Sequence, residues 1–163
     1  MKNLSFLTLL TTLFLVMTLT QSCGTDPCEE VACQNGAICA DGACDCTNGY
    51  EGDLCQTEWR AKMLGNYTVN QACGAATYGP YDYTITANPD DVLKTSFDGI
   101  EGTRPVHFDF TMTGEKTFDV PNQVPCSGCL QHGGSGIIED NGNITITYLR
   151  SDGVTCTDNL TPR

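Results

Sequence analysis

Three stretches of the chain alternate apolar and polar residues with a period of two. They are Tyr81-Asp82-Tyr83-Thr84-Ile85-Thr86-Ala87, Val106-His107-Phe108-Asp109-Phe110-Thr111-Met112 and Ile144-Thr145-Ile146-Thr147-Tyr148. Such alternation gives an extended strand one buried and one wet face. Weaker strands are expected over 66–72, 92–97, 116–120, 136–139 and 154–158. Turn-forming residues separate them: Asn88-Pro89-Asp90-Asp91, Asp98-Gly99, Thr113-Gly114, Asn141-Gly142 and Asp152-Gly153. Asn141-Gly142 between apolar runs is a hairpin signal. Trp59 and Met63 lie four apart, so a short helix over 58–64 leads into the first strand. Seven or eight antiparallel strands in about 105 residues predict a small β-barrel or sandwich.

Before residue 58 this pattern is absent. Lys2 is followed by Leu4 to Leu19, an apolar run broken only by Ser and Thr. A positive start, a short apolar run and small or polar residues after it make a secretory signal over 1–22. No later stretch is apolar enough to cross a bilayer as a helix. Leu19-Thr20-Gln21-Ser22-Cys23 resembles a bacterial lipobox. The resemblance implies that Cys23 carries acyl chains such as palmitate, becomes the first residue, and anchors the chain through a tether over 23–27. One chain holds a membrane only marginally, so firm anchoring takes more than one. Cysteine parity fits: of eleven cysteines, lipidation of Cys23 leaves ten to pair. The plainer reading is a peptidase cut after Ser22 and a secreted protein.

Residues 28–55 hold six cysteines, at Cys28, Cys33, Cys39, Cys44, Cys46 and Cys55. So many cysteines imply an oxidising compartment. So short a segment cannot bury enough apolar area to fold unaided and needs covalent staples. Residues 24–58 carry eight acidic residues and no Lys or Arg, whereas 59–163 carry twelve acidic and seven basic. The shift places a boundary near 57, dividing a module over 28–57 from a β-domain over 58–163. The spacing C-x4-C-x5-C-x4-C-x-C-x8-C, with Gly49-Tyr50 and Gly52 before Cys55, resembles an EGF-like domain. That resemblance implies the pairs Cys28–Cys39, Cys33–Cys44 and Cys46–Cys55; spacing alone leaves fifteen connectivities.

The β-domain faintly resembles the lipocalin-like domains of some envelope lipoproteins, through Trp59, Gly65-Asn66-Tyr67 and the closing strand around Cys156. Four cysteines remain there. Cys73 ends the first expected strand and Cys156 lies in the last. In a closed meander those strands are neighbours, so Cys73–Cys156 and Cys126–Cys129 are the expected pairs.

The formal charge of −12 excludes a phosphate-backbone partner, so no nucleic acid is expected. Calcium needs six or more oxygens; Asp26 and Asp41 only partly match the calcium-binding EGF pattern and read as solvated acidic surface. Cys126-Ser127-Gly128-Cys129-Leu130-Gln131-His132 has the spacing of half a zinc site, with Cys73 or Cys156 as a further ligand, or of a redox pair. Its Pro- and Gly-rich surroundings favour a loop disulfide. His107 falls on the polar face of a strand and His132 in a Gly-rich loop. Neither adjoins a nucleophile motif, so both read as surface histidines and the chain as no enzyme, with no metal and no cofactor. Tyr67, Tyr81, Tyr83, Phe108, Phe110, Phe118 and Tyr148 line the apolar faces. They either fill the core or leave a cup for one small apolar ligand. The expected function is structural or recognition work by a lipid-anchored protein of the outer membrane. The EGF-like module would act as spacer or docking unit, and the partner would be a surface protein or glycan. The alternative is a small-ligand carrier.

Overall fold

The computed structural model describes residues 26–101 and 103–163. The signal segment over 1–22 and the anchor Cys23 lie outside the described residues. The front module has two small hairpins. β1 (Ile38–Ala40) pairs with β2 (Ala43–Asp45), and β3 (Tyr50–Glu51) pairs with β4 (Thr57–Glu58). Its disulfides are Cys28–Cys39, Cys33–Cys44 and Cys46–Cys55. Apart from Cys55 and Gly49 almost nothing here is fully buried, so the staples replace a core.

The rest is an eight-stranded antiparallel meander: β5 (Gly65–Cys73), β6 (Ala76–Ala87), β7 (Lys94–Glu101), β8 (Arg104–Met112), β9 (Thr117–Gln123), β10 (His132–Ile138), β11 (Ile144–Arg150) and β12 (Thr155–Pro162). Each pairs with the next, and β12 returns to pair with β5, so the sheet closes into a barrel rather than splitting into a sandwich. Closure removes most of the open edge along which sheets aggregate; the barrel's shortest ladder is β8–β9, where only Thr111 and Met112 pair, with Asp119 and Phe118.

Three local expectations are corrected. Asp98-Gly99 does not turn the chain, because β7 runs through it to Glu101. Gly99 serves a steric purpose instead: the Tyr83 ring lies over it, and a Cβ there would fall 1.8 Å from the ring. His132 is the first residue of β10, not part of a loop. The helix expected over 58–64 is a single 3-10 turn, Trp59–Met63.

Inward residues fill the barrel. Tyr83 stacks on Phe97 with ring centroids 4.3 Å apart, Phe97 meets Phe110 at 5.5 Å, and Phe110 meets Phe118 at 5.0 Å. Tyr81 is only partly buried, whereas Tyr67, Tyr83, Phe108, Phe110, Phe118 and Tyr148 are buried. The gap bounded by Phe108, Phe110, Val120, Ile146, Tyr148 and Asp158 is too small to admit a water molecule.

The two ends differ. One is closed by the 3-10 turn. Met63 is fully buried and packs in the core, and its carbonyl accepts from Tyr67 Oη at 3.1 Å. Arg60 is 8% exposed, and its Nη1 donates to the carbonyls of Asn88, Asp91 and Lys94 at 2.5, 2.8 and 3.1 Å. Its Nε donates to Glu58 at 2.7 Å. The disulfide module meets this same end. Trp59 N donates to the Gly49 carbonyl at 2.9 Å, and Lys62 pairs with Glu51 at 2.5 Å. Gly49, at a φ of 97°, faces Val92 and Leu93. We call this the near end. The far end carries the β5–β6, β9–β10 and β11–β12 connections, and there β7 ends and β8 begins.

Candidate functional site

At the far end the inward-facing positions stop being apolar. In β5 the inward series is Tyr67, Val69, Gln71, Cys73; in β7 it is Phe97, Gly99, Glu101. In β11 it is Ile144, Ile146, Tyr148, Arg150, and in β12 Cys156, Asp158, Leu160. Each of these strands, oily near the module, carries a polar inward residue toward the far end, and these residues meet beside the Cys73–Cys156 bridge.

Asp158 is 4% exposed. Burial pushes its carboxyl up to about 7, and the Glu101 charge adds to this; donation from Gln71 and Tyr148 opposes it. Gln71 Nε2 lies 2.7 Å from Tyr148 Oη, which stands 3.5 Å from Asp158 Oδ1. Tyr83 Oη donates to Glu101 Oε1 at 2.7 Å. Burial raises both phenols well above the ordinary tyrosine value, so they remain donors.

Above this layer a pocket of about 220 Å³ opens to solvent. Gln71, Glu101 and Tyr148 form its floor, and Arg104, His132 and Arg150 its sides. Two disulfides frame it. Cys73, on its wall, is bonded to Cys156, and Cys129, on its rim, is bonded to Cys126. The Cys126–Cys129 bridge ties the β9–β10 connection over the mouth, beside Gly128 and Leu130.

His132 is no surface residue. Its ring stacks on Tyr148 at 4.7 Å and on Phe108 at 5.6 Å. Burial, then the Arg150 charge, lower its pKa, so it stays neutral. Its Nδ1 and the Arg150 Nε are buried without a hydrogen-bond partner among the described residues. Arg150 spends only Nη2, on Asp152 at 2.5 Å. Among the described residues Arg104 forms no ion pair, whereas each of the other Lys and Arg side chains has one.

His107 stands on the outer wall, exposed, with Nδ1 2.6 Å from Asp98 and Nε2 3.4 Å from Asp109. The Asp98 hydrogen bond is the main reason its pKa is raised. Ser96 Oγ donates to Asp109 at 3.0 Å and not to the imidazole. Among the described residues no group of three His, Cys, Asp or Glu side chains is placed to hold a metal ion. The Cys-x-x-Cys sulfurs are bonded to each other, and His132 lines the pocket.

Sequence reasoning brought Cys73, Cys129, His132 and Tyr148 into view but not Gln71, Glu101, Arg104, Arg150 or Asp158. The signal was present. Asp158 is in phase with Cys156 and Leu160, and Gln71 with Val69 and Cys73. A polar residue on the buried phase of a strand must find partners, and it marks where a core gives way to a site.

No family model matches the chain, and no curated protein matches it. Among solved structures it is similar to a redesigned β-barrel at 18% identity, over 63% of this chain and 93% of that one, with a TM-score of 0.50. It is also similar to a redesigned β-barrel bound to DFHBI, at 16% identity, over 64% and 99%, with a TM-score of 0.52. These likenesses establish the fold: a small closed antiparallel β-barrel. A Bacteroides fragilis protein described as a "putative outer membrane protein" aligns at 14% identity, over 65% and 54%, with a TM-score of 0.38, too loosely to carry an argument.

Proposed function

We propose that this chain is a lipid-anchored recognition protein of the cell envelope. In this reading Cys23 holds the membrane, the EGF-like module is a stiff spacer, and the barrel presents a binding site. The supporting observation is the opposition of the two barrel ends. The module, which follows Cys23 in sequence, packs on the near end, and the pocket opens at the far end. A site meant for an external partner belongs on the side away from its anchor. The filled interior argues for shallow recognition at the mouth rather than for a carrier holding cargo deep in a cup.

Two measurements test the reading. Wild-type protein should fractionate with membranes and Cys23→Ser should not; a soluble wild type with a free Cys23 thiol would overturn the anchor. A panel of small charged, polar and apolar compounds should shift the NMR resonances of Gln71, His132, Tyr148 and Arg150. Shifts scattered over the outer strands, or none anywhere in the panel, would overturn the binding role.

A further inference from the structure

We infer that the far-end pocket binds a small organic monocarboxylate, held by Arg104, Arg150 and His132. The inference rests on the barrel being a binding unit, as proposed above, and names what it binds.

Three of the unspent groups at this site are cationic or imidazole nitrogens. Arg150 Nε and His132 Nδ1 are buried with no partner, and the Arg104 guanidinium carries no counter-ion among the described residues. A buried donor left unmatched costs as much as a lost hydrogen bond, and more when it is charged. Two of the acceptors at the site are engaged: Glu101 Oε1 accepts from Tyr83, and the Tyr148 oxygen from Gln71. In a chain of net charge −12, two guanidinium groups at one opening offset the nearby Glu101 and Asp152 carboxylates and relieve the negative field there. A ligand acceptor with negative charge satisfies them, and Arg recognises the planar carboxylate best.

The same surroundings limit the charge to one. Glu101 lies on the pocket floor and Asp158 beneath it, so a second negative charge would meet carboxylates instead of donors. They also limit the size. About 220 Å³ is below the ~300–1,000 Å³ of sites for drug-sized molecules. Leu130, the Tyr148 ring and the Cys73 and Cys129 sulfurs supply an apolar wall for a short hydrocarbon body.

The experiment is a titration of the intact, disulfide-bonded, isotope-labelled chain with butyrate, with butyramide and with inorganic phosphate. Butyrate should move the Arg150 Nε–H resonance and the Gly128 and Leu130 amides. Butyramide and phosphate should bind at least about tenfold more weakly, since a charge-assisted hydrogen bond is worth about that factor. Arg104→Gln, at the exposed rim where folding does not depend on it, should weaken butyrate by about tenfold. Arg150→Lys should do likewise. Equal affinity for butyrate and butyramide, or unchanged butyrate affinity in both variants, would overturn the inference. Pocket shifts with butyramide but none with butyrate would overturn the monocarboxylate and leave the binding role standing. No shift with these three probes or with any member of the wider panel would remove both.

Discussion

Cys73 lies directly opposite Cys156 across the β5–β12 seam, with Cα atoms 4.1 Å apart. This is the ladder that turns a meander into a barrel, and the bond spans 83 positions of sequence. Closing so long a loop in the unfolded chain is worth about 4–5 kcal/mol on a chain-entropy basis. The paired change Cys73→Ala with Cys156→Ala should therefore lower the urea midpoint sharply. Cys126→Ala with Cys129→Ala removes a bridge spanning three positions and should cost at most about 2 kcal/mol. Comparable midpoints for the two double variants would show that the seam does not depend on its covalent bond.

Asp158 gives the barrel a pH dependence. Its folded-state value of about 7 lies above the ordinary 3.8, so the folded protein binds the proton more tightly than the unfolded chain. The groups facing it are Gln71, Tyr148 and Glu101. Stability should be greatest below about pH 4 from this group and fall as pH rises to 7, by up to about 4 kcal/mol. His132, with its lowered value, acts in the opposite direction as its neutral form is restored. Asp158→Asn isolates the carboxyl: the difference in urea midpoint between variant and wild type should grow from pH 4.5 to pH 7.5. A constant difference would mean that the carboxyl does not titrate in this range.

Arg60 fastens the near end through three backbone carbonyls. Arg60→Ala leaves those carbonyls unmatched and should cost about 2–4 kcal/mol. Amide exchange should accelerate first in 88–94, where the three acceptors lie, and less at the far-end strands. Uniform acceleration would place Arg60's effect in global stability rather than in local closure.

Gly136 leaves room for the Phe118 ring, since a Cβ would sit 2.1 Å from its Cζ. Gly136→Ala should destabilise by about 1–3 kcal/mol through overpacking. Phe118→Leu in the same chain should recover part of that loss, because contacting residues do not add independently. Strict additivity in thermal melts would disprove the contact's role.

The fold was legible where one residue in two faces oil. Val106–Met112 and Ile144–Tyr148 announce their strands because Val, Phe, Ile and Tyr recur in phase. β10 did not, since Gly133, Gly134 and Gly136 carry no side chain to mark a face, so its first half looked like loop. Gly99 misled because a glycine after aspartate signals a turn, whereas here it makes room for Tyr83, a residue sixteen positions away. The site was hidden for a related reason. Gln71, Glu101, Arg150 and Asp158 each sit singly on different strands, and only barrel closure brings them together. Local pattern cannot report a cluster assembled around a circumference.

The placement of the module on one end and the pocket on the other has a mechanical consequence. Tension between those ends would run lengthwise along the strands, inclined only by the ~35–45° tilt of barrel strands. Ladder hydrogen bonds lie perpendicular to antiparallel strands, so such a pull shears many of them together rather than unzipping them one by one. The covalent crosslink between β5 and β12 adds a bond that cannot slide to a ladder of seven paired positions. Under the proposed anchoring at Cys23, a pull between anchor and bound partner would act in this direction, the one the strands resist best.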